Sequence, residues 1–176
     1  MPSLARTCGT ILAALGLAAC GTSVSLDEPA AVAALKPTAG NNTSGQVRFV
    51  QQGGSVLVNA RVTGLKPGQE HGFHIHEKGD CSAPDATSAG GHYNPTGQPH
   101  GPQDAAHHAG DLPALKADAN GVAETSFRVS GVGIGSGEAN IVGKGLIVHV
   151  SPDDYKTQPT GNSGARLACA VIVRTR

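Results

Sequence analysis

SVLVNARV, residues 55–62, alternates without a break: Val56, Val58, Ala60 and Val62 fall on one side, Leu57, Asn59 and Arg61 on the other. Successive side chains of a strand point to opposite faces, so the stretch reads as a strand with one face in a core and the other toward solvent. The same period runs outward in both directions. Val47 and Phe49 alternate with Gln46 and Arg48 ahead of a QQGG turn (51–54), and Leu65-Lys66-Pro67-Gly68 turns the chain toward HGFHIHE (71–77). Further on, Ala119-Asn120-Gly121 gives a tight turn before VAETSFRVS (122–130), and GLIVHV (145–150) and RLACAVIV (166–173) supply two more strands. Short strands separated by turn signals indicate an all-β antiparallel sandwich or barrel. The 25 glycines and 11 prolines agree with many turns and little helix.

The 176 residues suffice for one domain. Lys plus Arg and Asp plus Glu each total 13, tryptophan is absent and aromatics are 3%, so neither a net charge nor stacking platforms recruit nucleic acid. At the start, Arg6 precedes an apolar run from Ile11 to Ala19, too short to span a bilayer but suited to a signal peptide over residues 1–19. The run ends in LAAC (17–20), which resembles the bacterial lipobox and makes Cys20 a lipid-bearing N-terminus; the competing reading is an ordinary secretory signal. Residues 20–44, small, polar and interrupted by proline, read as the lipidated N-terminus and a flexible tether, with AAVAAL an uncapped helical possibility. The Asn41-Asn42-Thr43 sequon is a chance match in such a lipoprotein. The folded domain is expected over 45–176, at the periplasmic side of a bacterial envelope and lipid-anchored to a membrane. With Cys8 removed and Cys20 acylated, Cys81 and Cys169 are left, either a pair in an oxidising compartment or two buried thiols.

Two long segments, 77–118 and 151–165, break the period and are rich in Gly, Pro, Asp and His; such loops are usually functional. Gly131–Asn140, by contrast, matches no phosphate-binding pattern and reads as a plain loop. All eight histidines lie between residues 71 and 149. On a strand His74 and His76 share one face, about 6.5–7 Å apart at Cα, while Phe73 and Ile75 take the other. His92, His100, His107, His108 and His149 follow, with Asp111 three residues after His108. Neutral imidazoles with a carboxylate suit Zn(II) or Cu(II).

Together HGFHIHE, GDCS, SAGGHYNP, HGP, HAGDL, VH and GNSGARLACAVI resemble the copper/zinc superoxide dismutases in their exported bacterial form, from about Gly45 to Ile172. The resemblance implies a Greek-key sandwich or flattened barrel of about eight strands with two long functional loops. It implies one copper per subunit on His74, His76, His92 and His149, and one zinc on His92, His100, His108 and Asp111, with His92 shared. His108 rather than His107 takes the ligand position. His71 and Asp153 match positions that orient the ligands, with Asp154 the competitor for the second role, and Cys81 and Cys169 match the family's disulfide. Arg166 matches the arginine that guides superoxide to the copper, and Lys144 and Lys156 are candidate steering charges. The implied reaction is disproportionation of superoxide, in which His92 also carries a proton. A metal-binding protein on the same scaffold without turnover is the alternative. A zinc hydrolase with Glu77 as base is weaker, because Glu77 alternates away from His76. Exported members of the family occur as monomers and homodimers, and no interface signature stands out.

Overall fold

The computed structural model describes residues 28–135 and 137–175. The stretch expected to be a signal peptide, residues 1–19, and Cys20 lie outside the described residues. Among the described residues the structure is all-β: β1 (Ala30–Pro37), β2 (Ser44–Gln52), β3 (Ser55–Thr63), β4 (Glu70–His71), β5 (Phe73–His76), β6 (Leu115–Lys116), β7 (Ala123–Val129), β8 (Gly145–His149), β9 (Arg166–Val171) and β10 (Val173–Arg174), with one 3₁₀ turn at Thr87–Ala89. Strand pairing orders the main sheet β5-β8-β9-β1-β2-β3-β7, with β10 also on β1, and every ladder is antiparallel. β1, β2 and β3 follow one another as neighbours while β9 returns to lie beside β1. Beyond β3 the neighbour is β7 rather than the next strand, and β5 pairs with β8, so the chain crosses between the two halves of the sheet as Greek-key connections do.

The expected alternation sets the core. Val56, Val58 and Val62 of β3 meet Val47 and Phe49 of β2, Phe73 and Ile75 of β5, and Leu146 and Val148 of β8, all buried, so the sheet curls around one apolar centre. The QQGG turn closes the β2–β3 hairpin with Gln52 opposite Ser55 and Gly53 at φ 59°, a conformation glycine adopts without strain. The described residues 131–135 and 137–140 are loop, as expected, but they contribute Val132 and Ile134 to the core.

Two expectations need correction. The tether reading of 20–44 fails over Ala30–Pro37, which forms β1, and neither a tether nor a short helix stands there. Ala31, Ala33 and Leu35 alternate into the core, and the backbone pairs with β2 on one side and with β9 and β10 on the other. The folded part therefore begins before residue 45. The long segment from 77 also ends earlier than 118, because Leu115–Lys116 form β6 and pair with β4.

Candidate metal centre

β5 carries two faces at once. Phe73 and Ile75 enter the core, while His74 and His76 turn to the outer face beside Ile147, the partner of His74 on β8. His149 ends β8 where the register shifts between Val148 and His149, and its N–H donates to Gly72 O. Among the described residues the other edge of β5 has no neighbouring strand in the main sheet; the loop 77–114 folds back along it. Tyr93 N–H donates to Ile75 O and Ile75 N–H to Gly110 O, both at 2.8 Å, with isolated bridges His76–His92 and His74–Asp111. This backbone zipper brings His92 and Asp111 beside the histidines of β5. It requires Gly110, whose β-carbon would collide with Ile75 O.

Two groups of donors result: His74, His76, His92 and His149, and His92, His100, His108 and Asp111, the donor atoms in each lying within 4.8 Å of one another. All seven residues are buried. In the first group, one nitrogen of each outer ring is committed. His76 Nδ1–H donates to Gly90 O (2.9 Å), His149 Nδ1–H to Gly164 O (3.0 Å) and His74 Nε2–H to Asp153 Oδ2 (2.6 Å). Each bond fixes a tautomer and leaves the second nitrogen as a lone pair. Those second nitrogens, His74 Nδ1, His76 Nε2 and His149 Nε2, are buried without a hydrogen-bond partner among the described residues, and so is His92 Nε2. Four orphaned acceptors at one place are costly unless a cation meets them, so the donor set fits a metal ion such as copper.

In the second group Asp111 is the hub. Its Oδ2 accepts the backbone N–H groups of His108 (2.9 Å) and Gly101 (3.2 Å), which aims Oδ1 at three rings. His92 Nδ1, His100 Nδ1 and His108 Nδ1 lie 2.7, 3.0 and 3.3 Å from that oxygen. His100 Nδ1 is nonetheless without a well-aligned hydrogen bond. Three imidazole nitrogens and one carboxylate oxygen fit the closed four-donor set of a structural zinc. His92 belongs to both groups, with Nδ1 on this side and Nε2 on the other.

The electrostatics agree. Burial, with the neighbouring imidazoles, lowers the pKa of His74 to about 4 and that of His149 to about 3, and pushes His76 down further. Burial also opposes protonation of His100, but the Asp111 and Asp153 carboxylates outweigh it and raise its pKa to about 9. Burial would raise Asp111 and Asp153, yet contacts with His100 and His92, and with His100 and His74, hold both carboxyls far below the ordinary range.

Around these groups, Asp153 joins the two sides: Oδ1 accepts from His100 Nε2 (2.9 Å) and Oδ2 from His74. Asp154 instead caps its own exposed turn, accepting from Lys156 N and Thr157 N. His71 Nδ1–H donates to His149 O at 2.8 Å. His107 stays outside both groups, bonded to Ala105 O. Cys81 and Cys169 are joined as a disulfide that ties the loop to β9. Arg166 reaches back from β9 to donate to Ala86 O and, at 2.6 Å, to Gly90 O. Gly90 O thus serves both Arg166 and His76, a role for a backbone carbonyl that no side-chain pattern reveals. Lys144 is engaged, its Nζ on Glu77 O (3.1 Å) and 4.7 Å from the Tyr93 ring centroid. Glu77 is exposed and belongs to neither donor group. Sequence reading also missed Tyr155, whose ring lies parallel to that of His100; its signal is an aromatic residue two positions after Asp153 in a chain with two tyrosines.

A curled antiparallel sheet bearing two buried donor groups that share one imidazole defines a metalloprotein with adjoining metal sites. The chain belongs to the family described as Copper/zinc superoxide dismutase (SODC), which it matches over residues 43–172. It is 42% identical over 135 residues to the superoxide dismutase [Cu-Zn] of Paramecium bursaria Chlorella virus 1, covering 73% of this chain and 71% of that one. It is 35% identical over 182 residues to the superoxide dismutase-like protein YojM of Bacillus subtilis (strain 168), covering 93% of each. A crystal structure of a SOD-like protein from Bacillus subtilis superposes with a TM-score of 0.73 at 35% identity, covering 80% of this chain and 96% of that chain.

Proposed function

We propose that the protein disproportionates superoxide, 2 O₂•⁻ + 2 H⁺ → O₂ + H₂O₂, with copper held by His74, His76, His92 and His149 and zinc by His92, His100, His108 and Asp111. The observation that carries this reading is the membership of His92 in both buried groups, one ring nitrogen toward each. Copper, when bound, supplies the one-electron couple that accepts an electron from one superoxide and returns it to the next; zinc supplies fixed positive charge. His74, His76 and His149 hold their lone pairs still, because their other nitrogens are anchored. His92 would be the proton carrier: its Nε2, which among the described residues has no hydrogen-bond partner, would hold a proton and supply it for the peroxide product. Arg166, steadied by two loop carbonyls, keeps further N–H groups for the small anionic substrate.

The test is superoxide consumption by the metal-loaded protein, measured with its copper and zinc content. Turnover is expected, and Arg166→Ala should lower it about tenfold or more without changing metal content, as loss of a guiding charge predicts. Metal uptake without turnover would favour a metal-binding role on the same donor groups. We place the protein at the bacterial envelope, anchored through a lipid on Cys20. Cys20→Ser should then shift it from the membrane to the soluble fraction, and an unchanged distribution would remove the anchor.

A further inference from the structure

We infer that Tyr155 is a positioning residue for the zinc side of the centre, a clasp that ties the 150–165 segment to the long loop and holds His100 in place. The inference rests on the reading of His92, His100, His108 and Asp111 as zinc donors.

Tyr155 stands at φ 55°, one of three non-glycine residues at positive φ among the described residues, with Ala86 and Asn162. A β-carbon disfavours that conformation, so it persists only where surrounding contacts impose it. Three contacts do so, and each leads to the second donor group. The Tyr155 N–H donates to Asp153 Oδ1 at 2.7 Å, the same oxygen that accepts from His100 Nε2. The Tyr155 hydroxyl oxygen accepts the Ala114 N–H at 3.0 Å, three residues beyond Asp111 on the other loop. The phenol ring lies parallel to the His100 imidazole, at 3° with centroids 6.5 Å apart, an offset arrangement that aromatic pairs favour.

The backbone of His100 is gripped from the same segment. Its N–H donates to Gln158 Oε1 (2.8 Å) and its carbonyl accepts from Gln158 Nε2 (2.9 Å). His100 sits in the long loop, away from the backbone zipper along β5 that places His92 and Asp111. On the side away from Asp111 its ring is held by the 150–165 segment, Asp153 at Nε2 and Tyr155 alongside, while Gln158 holds its backbone. Groups that orient a metal-binding histidine through its second nitrogen set both its tautomer and its direction, and their loss typically weakens metal binding 10- to 100-fold. Tyr155 belongs to neither donor group. It acts through Asp153 and His100.

The test uses the full chain loaded with zinc, with the rate of zinc release to a colorimetric chelator as one readout and the visible absorption of the cobalt(II)-substituted protein as the other. Tyr155→Phe keeps the ring and loses the oxygen that accepts from Ala114, and should release zinc several-fold faster. Tyr155→Gly suits the positive φ but removes ring and hydroxyl, and should release zinc about 10- to 100-fold faster with altered cobalt bands. A residue that merely filled the turn would leave both readouts at wild-type values in the glycine variant, and that result would overturn the inference. Should the glycine variant not fold, the phenylalanine variant decides: faster release supports the clasp, and wild-type release with a wild-type cobalt spectrum overturns it. A wild-type protein that takes up neither zinc nor cobalt would sink the zinc reading itself and the inference with it.

Discussion

Asp153 shows how much one side chain can settle. Its two oxygens accept from His74 Nε2 and His100 Nε2, one ring in each donor group, so a single carboxylate fixes the tautomers on both sides of the centre. The fit is tight: Gly161 packs against it so closely that a β-carbon there would overlap Asp153 Oδ1 and stand 2.5 Å from His100 Nε2. Asp153→Asn keeps the shape but leaves one oxygen as acceptor and turns an NH₂ group toward a ring N–H. One of the two imidazoles must then rotate or exchange its proton between nitrogens, and its lone pair leaves the donor group. Zinc affinity should fall about 10- to 100-fold, read by chelator competition, while the secondary structure seen by circular dichroism stays intact. Wild-type affinity in this variant would mean that Asp153 does not orient the donors.

At the scale of elements, β1 is the informative case. It lies in the middle of the sheet, between β2 and β9, so its backbone groups are paired on both sides. A chain shortened to begin at Gly45 should fail to fold, because it would expose two long unpaired strand edges and open the core at Ala31, Ala33 and Leu35. A cooperative melting transition in that shortened chain would refute the assignment. β1 escaped the sequence reading because AAVAALKP has alanine on both faces, which blurs the two-residue period and carries high helix propensity. What makes it a strand is the pair of edges waiting for it. By contrast β3, β5 and β8 were legible, since Val, Ile and Phe mark one face sharply. The donor residues were legible for a related reason: imidazoles and a carboxylate advertise their chemistry wherever they stand. Their supports were not, because the carbonyls of Gly90 and Gly164 act through backbone that every residue possesses, and the place of Tyr155 depends on a turn that only the folded chain defines.

For the molecule as a whole, the buried histidines of the centre impose opposite pH responses on the metal-free protein: burial lowers the pKa values of His74, His76, His149 and His108, while His100 is raised. The folded-state pKa values of His74, at about 4, and His149, at about 3, lie below the ordinary histidine value of 6.5, and His76 is lowered as well. As pH falls below 6.5 the unfolded chain therefore takes up protons that the folded protein refuses, and stability declines. Each group contributes up to about 1.4 kcal/mol per pH unit until its folded-state pKa is reached. Asp111 and Asp153 add to this loss only at lower pH, because their depressed folded-state pKa values confer stability that is present above the unfolded value of 3.8 and disappears as pH falls through the folded ones. His100 works the other way. Raised to about 9, it contributes stability that is complete below pH 6.5 and is lost as pH rises through 9. The melting temperature of the metal-free protein should thus peak near pH 6.5 and fall on both sides. Zinc should flatten the alkaline side in particular, because His100 serving as a donor has no such proton to lose. Melting curves from pH 4 to 10, with and without zinc, check both limbs. An alkaline decline that zinc leaves unchanged would mean that His100 is not among the zinc donors, whatever the fate of the acid limb.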